Sequence, residues 1–578
     1  MNAKHSTGLP LCFLLVAILT ACTHIGHAQT APPFTTLHSF IASVGGPDGY
    51  GPWSGLIQGA DGDFYGTTSS GGANSAGTVF KIMPSGTITT LYSFSYAGLG
   101  YVGTNPDGAF PYAGLVQDRD GFLYGTTFSG GANSTGTVFK ITTAGAFTVL
   151  HTFSALDSQN DNADGTGADT LLPGKGGFLY GTTTAGGANG AGTVFKITTA
   201  GALTTLYSFG ATSTDGAGPS SLILGTDGNL YGTTYGGGAN GTGTVFKITT
   251  SGAPTTLYSF GATGSNGINS DGAQPEAALM QARDGALYGT TTSGGADGYG
   301  TIFTVAAGGA LTSLHSFTYT DGAFPYAGLV KGKDGSLYGT TPWGGVNGAG
   351  LGTVFKITTG GAFTSLYSFT SPSEGLLGTN SDGTHPYGGL LQGKDGNLYG
   401  TANQGGTGAD GTVFKLTMIP VITSFSPNVG SVGTRITLTG ANFTEATAVK
   451  FGGINVPNFT INSDTSLSFT VPAPGVASAK ILVINPFGKG TSVRAFVMTP
   501  VVNSFSPGKG PVGTTVTLKG ANFTAATAVM VGTVPASFTV ISDTKMTLTV
   551  PTSAVTAPIS VVNSYGTGVS NRAFMVTH

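Results

Sequence analysis

The sequence predicts an all-β chain: a seven-bladed β-propeller closed by its own N-terminal strand, followed by two immunoglobulin-like β-sandwiches. Three observations predict it. A unit typified by residues 230–248, LYGTTYGGGANGTGTVFKI, recurs seven times, beginning at Phe64, Leu123, Leu179, Leu230, Leu287, Leu337 and Leu398. A second apolar segment ending in Phe also recurs seven times, but its first copy, residues 34–40, stands ahead of the array. After Pro420 the pattern gives way to two similar stretches offset by 80 residues.

Each repeat reads as four antiparallel strands. The first, as in residues 113–117, reaches the second through a hairpin signal, Asp120-Gly121. The Leu-Tyr-Gly-Thr-Thr strand follows, then a Gly-Gly-Ala-Asn loop too flexible for helix, then a Thr-Val-Phe-Lys-Ile strand and the Phe-terminated one. The repeated Tyr residues, from Tyr65 to Tyr399, lie 50 to 61 residues apart. That suits a four-stranded blade with loop insertions better than a β-helix coil. The seventh unit lacks a fourth strand and residues 34–40 lack a preceding three, so the N-terminal strand is expected to complete the last blade and remove an exposed edge.

Composition supports folded, turn-rich β material. Of 578 residues, 99 are Gly and only 8% are charged, while aromatics reach 10%. A net charge of -3 leaves no basic surplus for a phosphate backbone, so nucleic acid is not expected as a partner. Residues 1–28 have the layout of a bacterial export signal: Lys4, an apolar run over 9–19, then small residues. Two processing routes remain open, lipidation of Cys22 after Leu19-Thr20-Ala21 or ordinary cleavage after Ala28. The only other cysteine, Cys12, lies within the apolar run, so neither route leaves a disulfide.

The expected domains are 1–28 (signal), 34–417 (propeller), 420–498 and 500–578 (sandwiches). The sandwiches share Ser-Pro at Ser426-Pro427 and Ser506-Pro507, Val-Gly-Thr at 432–434 and 512–514, and Gly-Ala-Asn-Phe-Thr at 440–444 and 520–524. The propeller repeats resemble the Gloeo/Verruco tandem repeat, also called the choice-of-anchor repeat, over about residues 34–417. The two C-terminal modules resemble IPT/TIG domains. The first resemblance implies an exported, surface-associated protein of undefined activity; the second implies immunoglobulin-like spacing or interaction modules. No C-terminal sorting segment is evident, so any anchor falls to Cys22.

Chemistry is sparse in the sequence. His38, His151 and His315 replace Tyr in the fourth-strand motif, and His385 lies in a loop. These read as tolerated half-buried variants. Most Asp residues sit in Asp-Gly turns, and Asp118-Arg119-Asp120-Gly121 lacks the remaining ligands of a calcium loop. No metal and no cofactor is expected. The repeated Lys, from Lys81 to Lys415, reads as a snorkelling side chain. Asn442-Phe443-Thr444 and Asn522-Phe523-Thr524 match a glycosylation acceptor pattern but read as structural turns.

Binding is expected where the Gly-Gly-Ala-Asn loops and the variable connections between blades share one face. Trp53, Tyr112, Tyr326, Trp343 and Tyr387 are the candidate ligand-binding residues, because flat rings stack on sugars or grip a peptide. The resulting expectation is a non-catalytic exported protein at the outer membrane surface or outside the cell, binding a polysaccharide or surface protein. Two alternatives stay open: a secreted carbohydrate-active hydrolase or lyase, and a structural surface-layer component. The enzyme would need a blade that breaks the repeat with convergent acidic, His or Tyr side chains, and none is apparent in the sequence.

Overall fold

The computed structural model describes residues 32–41, 48–95, 105–346, 350–373, 378–472 and 478–578, and every regular element within them is a β-strand. Residues 1–28, with Cys22 and the expected cleavage point after Ala28, lie outside the described residues.

The repeats form seven antiparallel sheets. In the first, Ile57–Gln58, Phe64–Thr68, Thr78–Ile82 and Ile88–Ser93 pair in chain order, and the next five repeat this plan, the third and fourth with one added short strand each. The opening strand of each sheet is shorter than its sequence suggests, only Val116–Gln117 in the second sheet. In the seventh, Leu391–Gln392, Leu398–Ala402 and Ala409–Leu416 are completed by the N-terminal strand Phe34–Ile41. Phe34 pairs with Leu416 and Thr36 with Phe414, and the register then skips Leu37 so that His38 meets Val413. The first sheet shows the same skip, with Thr90 opposite Phe80 and Tyr92 opposite Val79. The N-terminal strand is therefore built like the fourth strand of every other sheet.

Strand alternation sends Tyr and Val to one neighbouring sheet and Leu, Phe and Ile to the other. Tyr65 and Val79 of the first sheet pack against Leu115, Leu123, Phe139 and Ile141 of the second. This composition recurs between consecutive sheets, and Tyr399 and Val413 of the seventh meet Leu56, Phe64, Phe80 and Ile82 of the first. Polar contacts repeat too. Thr67 Oγ1 donates to the Ala113 carbonyl of the second sheet at 3.2 Å, and Thr401 Oγ1 of the seventh donates to the Ser54 carbonyl at 2.8 Å. The Ala60 N–H donates to Gln117 Oε1, and the Lys394 N–H donates to Gln58 Oε1. The Gly of Leu-Tyr-Gly is explained by close packing: a Cβ on Gly66 would lie 2.6 Å from the Phe80 ring and 2.9 Å from Leu56.

Each C-terminal module is a β-sandwich with its own core, around Ile436, Leu438, Phe451 and Phe496 in one and Val516, Leu518, Val531 and Phe574 in the other. The Asn-Phe-Thr marks are structural. Phe443 and Phe523 are core residues, and Asn442 and Asn522 are buried in the left-handed region. Asn442 Nδ2 donates to the Thr417 and Ile419 carbonyls, and Asn522 Nδ2 to that of Thr499, so each Asn ties its sandwich to the segment before it. The first sandwich also reaches the sixth sheet, where Lys356 bridges Asp334 at 3.0 Å and Glu445.

Candidate functional site

The connection into each sheet begins with Asp, and that Asp is anchored by the previous sheet. The hydroxyls of Tyr92, Tyr207, Tyr258 and Tyr367 donate to Asp107, Asp215, Asp271 and Asp382, each at 2.8 Å. Where Tyr is replaced, His38, His151 and His315 meet Asp48, Asp164 and Asp321 at 3.3, 2.8 and 3.0 Å. Burial alone would raise the Asp164 and Asp321 carboxyls, but hydrogen bonds from His151 and His315 and from nearby backbone N–H groups hold both below the usual range. Burial, reinforced by the carboxylate partner, pushes the Tyr207 and Tyr258 hydroxyls up to about 12. The three histidines thus have a structural explanation as Asp partners at sheet junctions.

Three residues after each Asp the backbone turns left-handed. Phe110, Gln274, Phe324 and His385 have φ of 56°, 58°, 54° and 57°, and Gly51, Gly167 and Gly218 serve the same place in the other sheets. This conformation is costly for a side chain with Cβ, by about 1–3 kcal/mol, unless its surroundings hold it. They do: the Phe110 N–H donates to the Ala76 carbonyl and the His385 N–H to that of Leu351, both in Gly-rich loops, and the Gly51 N–H to that of Asp410 at the start of the strand Ala409–Leu416. The turn fixes the direction of the residue two places further on, the fifth after Asp. Read around the seven sheets, that residue is Trp53, Tyr112, Asp169, Ser220, Glu276, Tyr326 and Tyr387.

These seven equivalent positions divide into an aromatic run and a polar run. Tyr326 meets Tyr387 at 5.4 Å between ring centroids, Tyr387 stacks on Trp53 at 4.1 Å and 8°, Trp53 meets Tyr112 edge-on at 5.8 Å, and Tyr112 meets Phe128 at 5.7 Å. Trp343 adjoins the run through His385, at 4.3 Å. All five rings singled out from sequence therefore belong to one contiguous aromatic cluster. A cavity of about 570 Å³ opens beside it, lined by Trp53, Tyr112, Phe128, Asp169, Ser220, Tyr235 and Glu276 among others. Gln274 Nε2 donates to the Tyr235 hydroxyl at 2.7 Å and steadies that wall.

The polar run was missed in the sequence. Asp169 and Glu276 occupy the place that Tyr holds in three other sheets, so an acidic pair that is not apparent along the sequence lines the cavity. Burial pushes the Glu276 carboxyl up to about 7, with the charge of Asp169 adding to it, and burial likewise raises Asp169. Asp169 is hydrogen-bonded by the Thr170 backbone N–H and, at longer range, by Ser221 Oγ and Thr170 Oγ1 at 3.3 and 3.4 Å, whereas Glu276 has no hydrogen-bond or ion-pair partner among the described residues. Burial, then the Glu276 charge, raises the Tyr326 hydroxyl to about 12. His385, 3% exposed, is pushed down to about 4 by burial; its Nδ1 contacts Thr384 Oγ1 at 2.9 Å and its Nε2 has no hydrogen-bond partner among the described residues. The signal for Glu276 was legible, since aligning the residue after Pro in Asp271–Pro275 against its copies exposes the exception. Phe128 and Tyr235 similarly stand out directly after Gly-Thr-Thr.

The hairpins between first and second strands hold a different constellation. Tyr65, Tyr231, Tyr338 and Tyr399 donate to Asp61, Asp227, Asp334 and Asp395 at 2.6 to 2.8 Å. Lys81, Lys247 and Lys356 pair with the first three of these Asp residues and lie over the ring of the same Tyr. The repeated Lys is thus more than a snorkelling stem, being an ion-pair partner in these sheets. Among the described residues no group of three His, Cys, Asp or Glu side chains is placed to hold a metal.

The model of the Gloeobacter/Verrucomicrobia repeat matches residues 26–175, 160–270 and 266–455, and that of the IPT/TIG domain matches 420–494 and 500–575. The chain belongs to the Gloeobacter/Verrucomicrobia repeat family and carries two IPT/TIG domains. Comparison with curated proteins returns no match. Among solved structures, it is similar to the extracellular domain of a protein described as a hybrid two component system, BT3049, from B. thetaiotaomicron, at 13% identity and a TM-score of 0.41. That match covers 81% of this chain but only 57% of the other. A fungal alcohol oxidase of the AA5 family matches at 14% identity and a TM-score of 0.39, over 82% of this chain and 99% of that one. The surface glycan-binding protein PbSGBP-B from Prevotella bryantii matches at 20% identity and a TM-score of 0.20, over 27% of this chain and 42% of that one. Likenesses at this level carry no functional weight.

Proposed function

We propose that this chain is a non-catalytic, exported binding protein whose seven sheets form a closed seven-bladed propeller and whose aromatic cavity receives a polysaccharide at the cell surface or outside the cell. Closure is supported by the contacts between the seventh and first sheets, which reproduce those between other neighbours. Export rests on the signal-like N-terminus and on the family resemblance. The domains are then the propeller over 34–417 and the two sandwiches over 420–498 and 500–578, the latter acting as spacers or a second contact surface.

The observation that carries the binding function is the run from Tyr326 through Tyr387 and Trp53 to Tyr112, at the edge of an open cavity. Its volume falls in the range of about 300–1,000 Å³ usual for ligand sites, and aromatic faces beside polar groups suit sugar rings. A screen of glycans and cell-wall polymers against the purified chain, with Trp53→Ala, Tyr112→Ala and Tyr326→Ala as controls, tests this. Binding lost in the variants is the expected outcome, and uniform absence of binding to the parent chain rejects it. The carboxyls of Asp169 and Glu276 favour one second reading, a carbohydrate-active hydrolase or lyase. Turnover of a bound polymer that disappears in Glu276→Gln would establish that reading instead.

A further inference from the structure

Among the described residues, the polar side of the cavity holds two carboxyls and no compensating cation. Among the described residues its lining contains neither Lys, Arg nor His, Glu276 has no hydrogen-bond or ion-pair partner, and Asp169 is met only by hydroxyl and backbone donors of Ser221 and Thr170, none of them charged. Unpaired carboxyls in a partly desolvated site are unfavourable, and each makes the other harder to ionise. Regular repetition does not require them, because Tyr fills the same place in the second, sixth and seventh sheets. Opposite them stand flat rings suited to a pyranose, with Trp53 still 38% exposed although Tyr387 covers one of its faces.

We propose that the cavity selects an amino sugar, a pyranose bearing a free protonated amine, seating the ring against Trp53 and Tyr112 and the ammonium between Asp169 and Glu276. This rests on the glycan-binding function proposed above and narrows it. An ammonium supplies a positive charge to both carboxyls and donates hydrogen bonds to Glu276, which receives none from the described residues, and to the remaining lone pairs of Asp169. Uronates and other anionic sugars meet like charge and are rejected. An N-acetylated sugar keeps the ring contact but loses the ion pair. Besides the two carboxyls, the titratable groups facing the site are the hydroxyls of Tyr112, Tyr235 and Tyr326. Because the ammonium favours ionised Glu276, whose carboxyl is otherwise held up near 7 by burial, binding at pH 6 releases a proton.

Calorimetry on the full chain tests this, using the glucosamine tetramer, its fully N-acetylated counterpart, a neutral glucose tetramer, a galacturonate tetramer and a tetralysine peptide, at pH 6 in two buffers of different ionisation enthalpy. The glucosamine tetramer is expected to bind about tenfold or more tighter than the acetylated and neutral tetramers, with a heat that depends on the buffer. Glu276→Gln and Asp169→Asn are expected to erase that preference while keeping residual binding of neutral sugar, and Glu276→Gln also removes the buffer dependence. Equal affinity for neutral and amino sugars overturns the inference and leaves the glycan-binding function standing. Tetralysine binding as tightly as the amino sugar overturns the choice of a sugar, and silence towards every saccharide rejects both.

Discussion

Glu276 and Thr182 show how one side chain can depart from a regular repeat in opposite senses. With its folded value near 7, above the ordinary value of 4.5, Glu276 stays protonated where the unfolded chain has already lost its proton. Stability therefore falls as pH rises through that window, by at most about 3 kcal/mol. Glu276→Gln should match the parent in thermal unfolding at pH 4 and exceed it at pH 8; identical midpoints at both values would discount the shift. Thr182 is the counterpart of Thr67 and Thr401, yet its buried Oγ1 has no hydrogen-bond partner among the described residues. Thr182→Val should be neutral or stabilising by about 1 kcal/mol, whereas Thr67→Val should cost a similar amount, because only the second removes a hydrogen bond. Denaturant titration of the two variants separates them.

At the scale of the element, the unit that matters is the junction between sheets: fourth-strand Tyr or His, Asp, left-handed turn, Pro and the presented side chain. Asp271 receives the Tyr258 hydroxyl and the Gly261 N–H, both at 2.8 Å, and is 9% exposed. Asp271→Ala leaves two donors without their acceptor and should cost about 2–4 kcal/mol, read as a lower unfolding midpoint. It should also disturb Glu276, five residues on, and so weaken ligand binding. The glycine before the third strand is equally constrained. A Cβ on Gly77, at φ 98°, would lie 2.7 Å from Pro111 of the next sheet and 2.5 Å from the Thr68 carbonyl. Gly77→Ala should therefore destabilise the first junction by more than the roughly 1 kcal/mol of an unstrained exchange.

For the whole molecule, the N-terminal strand is the critical part. Removing residues 32–41 uncovers the edge of Ala409–Leu416 and strips Phe40 from the cluster it shares with Phe80 and Val413. An exposed edge with apolar neighbours invites pairing between chains, so the truncated protein should elute as oligomers or aggregate in size-exclusion chromatography. A monomer with unchanged unfolding would contradict the importance given to this strand. The first sandwich is coupled to the repeat array through the half-buried Lys356 between Asp334 and Glu445 and through Phe487, which packs in the cluster with Tyr338 and Met418. Glu445→Ala leaves that ammonium with one partner and should loosen the sandwich, which accelerated proteolysis near residues 417–420 would report.

The sequence by itself determined the all-β class, the number of repeats, the pairing of residues 34–40 with the last unit and the two sandwich modules, because periodic apolar patterning and turn residues act locally. It also located the five rings of the aromatic cluster, since large flat side chains in variable connections are conspicuous. It did not disclose that Asp169 and Glu276 line one cavity, or that His38, His151 and His315 each serve an Asp. Those facts depend on which residues from sheets far apart in the chain are brought together, and only tertiary structure decides that. The physical reason is that a repeat specifies each junction locally, whereas a site is made by the few side chains that differ between junctions and by the burial they share.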